Sequence, residues 1–156
     1  MSIKAQNPIG IIGAGTMGAG IAQAAASAGW PVKLYDVNQT LVDLAKESLV
    51  KRFERLVEKD RITNEESRAC QDRISTTIVL EDLSDCDLVI EAIVEDFDIK
   101  TKVLKQVGEY APNAIIATNT SSLSVSELGS ACGFSDRVVG MHFFNPAPIM
   151  PLVEII

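Results

Sequence analysis

Short apolar runs alternate with longer amphipathic stretches along the whole chain. The runs are Pro8–Ile12, Val32–Tyr35, Ile74–Val79, Leu88–Ala92, Ala114–Thr118, Val138–Met141 and Leu152–Ile156. Their length and apolar content fit strands buried on both faces. Between them lie helical patterns. Thr16–Ala28 is rich in Ala and closes at Gly29, a residue suited to a helix end. Asn38 is a good N-cap for a long helix to about Lys59, with Leu41, Leu44, Ala45, Leu49, Phe53 and Leu56 near one face. Thr63 with Glu66, and Ser124 with Glu127, have capping-box spacing ahead of shorter helices. Ile99–Tyr110 is helical in pattern, with Val103, Leu104 and Val107 facing inward. Strands alternating with helices predict an α/β fold: a doubly wound, mainly parallel sheet with helices on both faces.

Length and charge narrow the choice. A chain of 156 residues suits one domain, here residues 1–156, with a core that needs no disulfide or metal. Net charge is −7, which argues against a nucleic-acid partner, because phosphate contacts need clustered Lys and Arg. It leaves phosphate ligands open, since backbone amides at a helix start bind them without side-chain charge. Cys70, Cys86 and Cys132 are widely spaced and the single His cannot complete a zinc site with them, so no metal is expected. Reduced thiols and a cytoplasmic location are the expectation. Met1–Pro8 lacks the pattern of a signal peptide, and no apolar stretch is long enough to cross a bilayer, so no membrane association is expected.

One motif carries specific chemistry. Gly13-Ala14-Gly15-Thr16-Met17-Gly18 fits Gly-x-Gly-x-x-Gly, directly after an expected strand and opening an expected helix. Gly13 would allow the tight turn, Gly15 the approach of a pyrophosphate, and Gly18 close packing of helix on strand. Asp36 ends the second strand, about 20 residues on, where a carboxylate can accept from both ribose hydroxyls. It would repel the extra phosphate of NADP, and no Arg follows it. NAD is therefore the expected cofactor, on a Rossmann-type fold. FAD, which uses the same fingerprint, is a weaker rival. The plainer alternative is a tight turn with Asp36 as a cap.

His142 follows the strand Val138–Met141, and ligands of open α/β sheets bind outside the carboxyl ends of strands. Imidazole exchanges protons near neutral pH, as a base for an alcohol needs. Glu154 sits in an otherwise apolar strand, and a carboxylate there wants a partner. Pairing would fix the tautomer of His142. Spacing leaves two plainer readings equally open: a satisfied core histidine, and a surface-facing Glu on an edge strand. Asn119-Thr120-Ser121-Ser122 also follows a strand and could hydrogen-bond a hydroxyl or carbonyl, or simply form a turn and cap.

Taken in order, Gly13–Gly18, Val89-Ile90-Glu91-Ala92-Ile93-Val94-Glu95, Asn119–Leu123, His142-Phe143-Phe144-Asn145-Pro146 and Pro151–Ile156 resemble the motifs of the L-3-hydroxyacyl-CoA dehydrogenases, 3-hydroxybutyryl-CoA dehydrogenases included. The resemblance covers the whole chain. It implies that His142 is the catalytic base, that Glu154 orients it, and that Ser121 contacts the substrate's 3-oxygen near the nicotinamide. It implies that Glu95, Lys100 and Asn145 contact NAD. The implied reaction is oxidation of an L-3-hydroxyacyl-CoA, short-chain substrates favoured, to the 3-ketoacyl-CoA. For Glu95 and Lys100, spacing alone favours an ordinary solvated helix start.

Members of that family continue for about another 100 residues, a domain's length, with a helical domain that supplies much of the acyl pocket and the homodimer interface. The chain is therefore expected to be the NAD-binding part, to bind cofactor and to turn over weakly. Lys51, Arg52, Arg55, Lys59 and Arg61 form a basic cluster where the family grips CoA, or a solvated helix face with Glu54 and Glu58. Three rivals remain. One is a non-catalytic protein on the same scaffold, as lens lambda-crystallins are. Another is a two-domain dehydrogenase of hydroxy or sugar acids with a catalytic Lys. The third is a multifunctional β-oxidation parent, against which the early glycine motif counts.

Overall fold

Among the described residues seven strands form one sheet in the order β3-β2-β1-β4-β5-β6-β7. The structure is a computed structural model and describes residues 7–156. The segment Met1–Gln6, part of the stretch read for a signal peptide, lies outside the described residues. In chain order the elements are β1 (Ile9–Ile12), α1 (Thr16–Ser27), β2 (Val32–Tyr35), α2 (Gln39–Glu58), α3 (Asn64–Asp72), β3 (Ile74–Thr77), β4 (Leu88–Glu91), α4 (Phe97–Tyr110), β5 (Ile115–Thr118), α5 (Val125–Cys132), β6 (Val138–Phe143) and β7 (Val153–Ile155). Strands β1 to β6 run parallel, and β7 returns antiparallel to β6. This is the expected doubly wound fold, closed by an antiparallel edge strand. The order reverses between β1 and β4, and the crevice above that point is where such sheets bind ligands.

Strand alternation explains the two cores. Ile11, Leu34, Leu88, Ile90 and Ala117 point to one face and pack with Ala22, Ala26, Leu49 and Phe53. Ile12, Val89 and Ile116 point to the other and pack with Leu104, Val107 and Leu128. Successive residues of a strand face opposite sides, so every central strand must be apolar throughout. Among the described residues no helix is long and apolar enough to cross a membrane.

Caps set the helix boundaries. Asn38 accepts from the amides of Thr40 and Leu41, and Thr63 with Glu66 forms the complete capping box. Ser124 caps α5 through the amide of Glu127. Four expectations need correcting. On α2 the buried stripe is Val42, Ala45, Leu49 and Phe53, while Leu41 and Leu44 are exposed. Leu41 instead lines the open cavity beside Asp36. The run Ile74–Val79 is strand only to Thr77, and a 3-10 turn at Leu80–Leu83 follows. Helix α4 begins two residues early, at Phe97, because Asp96 caps it through the amide of Ile99. Strand β6 extends to Phe143, so His142 lies inside the strand.

Candidate functional site

At the end of β1 the chain turns on Gly13, whose φ of 105° falls in the left-handed region. Its amide donates to the Tyr35 carbonyl at 2.8 Å, which ties the turn to β2. A Cβ on Gly13 would sit 2.6 Å from the Ala92 carbonyl oxygen, and one on Gly18 would sit 1.7 Å from that of Gly13. Both glycines are demanded by the fold. Gly15 is different. Its φ of −75° suits any residue, and an added Cβ would meet nothing within 4 Å. The protein's own packing gives no reason for glycine there. The turn opens α1, which has no side-chain N-cap and no acidic residue in its first turn. Its uncapped amides and a dipole of about half a positive charge face the space that Gly15 keeps open.

Asp36 stands across this turn. Its Oδ2 accepts from the Ala14 amide at 2.9 Å and its Oδ1 from the Asn38 amide at 3.2 Å. The carboxylate thus buttresses the glycine turn and retains lone pairs for further donors. A cavity of about 570 Å³ extends from Gly13 and Gly15 past Asp36, Val37 and Leu41 to Ile93 and Ile99. An open cradle at Gly15, a helix start, an acid at the end of β2 and an apolar slot fit a dinucleotide with two free ribose hydroxyls. Of the motif's other residues, Ala14 is held by Asp36, Met17 packs on the core, and Thr16 faces the second cavity described below.

The carboxyl ends of β4, β5 and β6 carry the polar groups. Glu91 ends β4 and is wholly buried, and its Oε1 lies 2.5 Å from the Nζ of Lys100, itself 1% exposed. The Ile93 amide and the Thr118 hydroxyl also donate to this carboxylate, each at 2.7 Å. Lys100 reaches a second acid, Glu95, at 3.4 Å. Oε1 of Glu95 accepts from the hydroxyl of Thr120, the amides of Ser121 (3.0 Å) and Ser122 (3.2 Å), and the Ser122 hydroxyl (3.1 Å). Partial burial pushes the Glu95 carboxyl up, but the Thr120 hydroxyl, the Lys100 ammonium and the two amides outweigh it and hold it at about 2. Lys100 therefore sits beneath Glu95 instead of on the cleft surface, and it is not part of a solvated helix start.

His142 and Glu154 face each other in the β6–β7 pairing, with Nδ1 2.9 Å from Oε2. The Phe144 ring packs against the imidazole, 4.6 Å between centroids. Asn119 accepts from the Phe143 amide at 2.8 Å, which joins the Ser121 loop to the strand bearing His142. After β6 the chain crosses a cis Asn145-Pro146 bond and lies on α1, where a Cβ on Gly20 would sit 3.3 Å from Ala147 and from Pro148. Asn145 lines a second cavity, about 790 Å³, with Thr16, Arg52, Arg55, Lys59 and Met150. The structure thus brings His142 to Glu154 and Ser121 to a carboxylate oxygen of Glu95, and it sets Asn145 apart from the Asp36 cavity.

The sequence assigned no role to Glu91 or Thr118, and for Asn119 and Thr120 it offered a substrate contact or a turn, not the bonds to Phe143 and Glu95. Glu91 had a signal: a charge ending an apolar strand needs a partner.

Comparison with known proteins shows the family. The probable 3-hydroxybutyryl-CoA dehydrogenase of Deinococcus radiodurans is 45% identical over 148 residues, covering 94% of this chain and 53% of the relative. That of Bacillus subtilis is 43% identical over 147 residues, covering 94% and 51%. The crystal structure of (S)-3-hydroxybutyryl-CoA dehydrogenase from Ralstonia eutropha superposes with a TM-score of 0.92 at 41% identity, covering 99% of this chain and 54% of that one. The chain spans about half the length of the curated relatives it matches. Residues 8–156 match the family described as the 3-hydroxyacyl-CoA dehydrogenase NAD binding domain, and the chain belongs to that family.

Proposed function

We propose that this chain is the cofactor half of an enzyme that oxidises an L-3-hydroxyacyl-CoA to its 3-ketoacyl-CoA with NAD. The observation that carries the chemistry is the His142–Glu154 pair, 2.9 Å apart at the ligand-binding edge of the sheet. A carboxylate on Nδ1 keeps the proton there and leaves Nε2 as the acceptor. His142 would take the proton of the 3-hydroxyl through Nε2, and Glu154 would stabilise the imidazolium that forms. Ser121, on the loop held by Glu95, would donate to the 3-oxygen. NAD, when bound, supplies the hydride acceptor. Gly13, Gly15 and the first turn of α1 would hold its pyrophosphate, Asp36 its adenosine ribose, and the Glu95 side of the cleft its nicotinamide half, with Lys100 acting through Glu95 and Asn145 lying further along α1.

Arg52, Arg55 and Lys59 border the larger cavity, and that supports their holding the phosphates of CoA there. A short acyl chain is supported by the names of the relatives. A homodimeric, cytoplasmic protein belongs to the same reading. Ile149, Leu152, Ile155 and Ile156 are all more than half exposed, and an apolar face of this kind fits a covering partner. Residues 7–156 would bind NAD by themselves and turn over slowly. The test is NADH oxidation driven by acetoacetyl-CoA. A rate that vanishes in His142→Gln supports the reading, and a rate indifferent to that change overturns it.

A further inference from the structure

Glu91 and Lys100 are buried charges that the proposed chemistry does not use directly. Taking two charges out of water is costly, and well-packed apolar residues often serve stability as well or better. Glu91 is wholly buried, out of a ligand's reach, and its side chain is already held by three donors, Lys100, the Ile93 amide and the Thr118 hydroxyl. What the pair does reach is the loop after β5. Lys100 spans from Glu91 at 2.5 Å to Glu95 at 3.4 Å, and one oxygen of Glu95 gathers Thr120, Ser121 and Ser122. The Glu91 carbonyl also accepts from the Asn119 amide at 2.8 Å, at the start of that loop.

We propose that Glu91 is a positioning residue, which fixes the Lys100 ammonium from below so that Lys100 anchors Glu95 and Glu95 shapes the Ser121 loop. The inference rests on the reading of Ser121 as the contact to the substrate oxygen. Lys100 is too buried to find a replacement anion in solvent, and among the described residues Glu95 is its only other carboxylate partner. Without the Glu91 charge the ammonium shifts toward Glu95, draws that carboxylate down, and releases the amides of Ser121 and Ser122. Among the described residues no other carboxylate accepts from either amide, and the Ser122 amide keeps a 3.4 Å contact to the Thr120 hydroxyl.

The test compares the chain with Glu91→Gln and with Glu91→Gln/Lys100→Met. Three quantities are read: melting temperature, NADH affinity, and hydrogen exchange at the Ser121 and Ser122 amides. Glu91→Gln is expected to speed exchange at both amides by about tenfold or more, with the Gly13–Gly18 amides unchanged. The double variant removes both buried charges, so it is expected to regain melting temperature and not exchange protection. That split separates positioning from a merely structural ion pair, whose loss and repair would move both quantities together. If Glu91→Gln does not fold, the double variant carries the test by itself. Unchanged exchange in Glu91→Gln, or protection restored in the double variant, overturns the proposal. Failure of the cofactor reading shows separately, as a parent chain that does not bind NADH.

Discussion

Nδ1 of His142 and Oε2 of Glu154 meet at 2.9 Å because their residues are paired directly across antiparallel strands β6 and β7. The contact is therefore fixed by backbone register. A one-residue slip would turn Glu154 to the opposite face.

Glu154→Gln keeps a hydrogen-bond acceptor and removes the charge that stabilises imidazolium. Turnover is expected to fall, by less than the roughly 10²–10⁴-fold loss in His142→Gln. Glu154 is half exposed, so the melting temperature should hardly change. Steady-state rates with acetoacetyl-CoA and NADH, beside thermal melts, check both statements. Equal rates for Glu154→Gln and the parent would contradict the pairing's role.

Gly15 and Gly18 separate binding from folding. Gly18→Ala drives a Cβ to within 1.7 Å of the Gly13 carbonyl oxygen, which backbone cannot yield cheaply. Overpacking of that kind costs about 1–3 kcal/mol or more, and melting should record it. Gly15→Ala puts its methyl into open space at a φ any residue adopts. Its melting temperature should match the parent, while NADH affinity drops about tenfold or more as the pyrophosphate is held off.

Glu95 gives a pH signature. Its carboxyl is lowered from 4.5 to about 2 in the folded protein, so folding favours the anion. The stability it contributes is fully present above the unfolded value and is lost as pH falls through the folded one. The melting difference between the parent and Glu95→Gln should be largest above about 4.5 and should close toward about 2. Solvent screening at this partly exposed site keeps the effect small. A difference that grows with acid would contradict it.

Cys86 should be inert. Burial first, and then the Asp85 carboxylate, push its thiol up to about 12. Cys70, Cys86 and Cys132 are all free and buried. Only the thiolate attacks thiol reagents, so titration of the folded chain should show little reaction, with three thiols appearing on unfolding.

Much of this is legible in the sequence. The glycine spacing, the Asp36 position and the caps at Asn38, Thr63 and Ser124 are local signals, and the structure follows them. Long-range pairing was not legible. Strand β6 runs two residues past its apolar stretch because β7 supplies partners for His142 and Phe143. The stripe on α2 was read one position out at its start, because Leu41 is apolar for the cavity beside Asp36 and not for the core. Asn119 and Thr120 look like turn residues in sequence. Their bonds go to residues 24 and 25 positions away, which no spacing rule reports.

The most direct test of the account is calorimetric titration of this chain with NADH and, separately, with NADPH. The account predicts that NADH binds at the Gly15 cradle and that NADPH binds far more weakly, because Asp36 repels its extra phosphate. Absence of NADH binding, or equal binding of the two, would contradict the cofactor site and the dehydrogenase reading built on it.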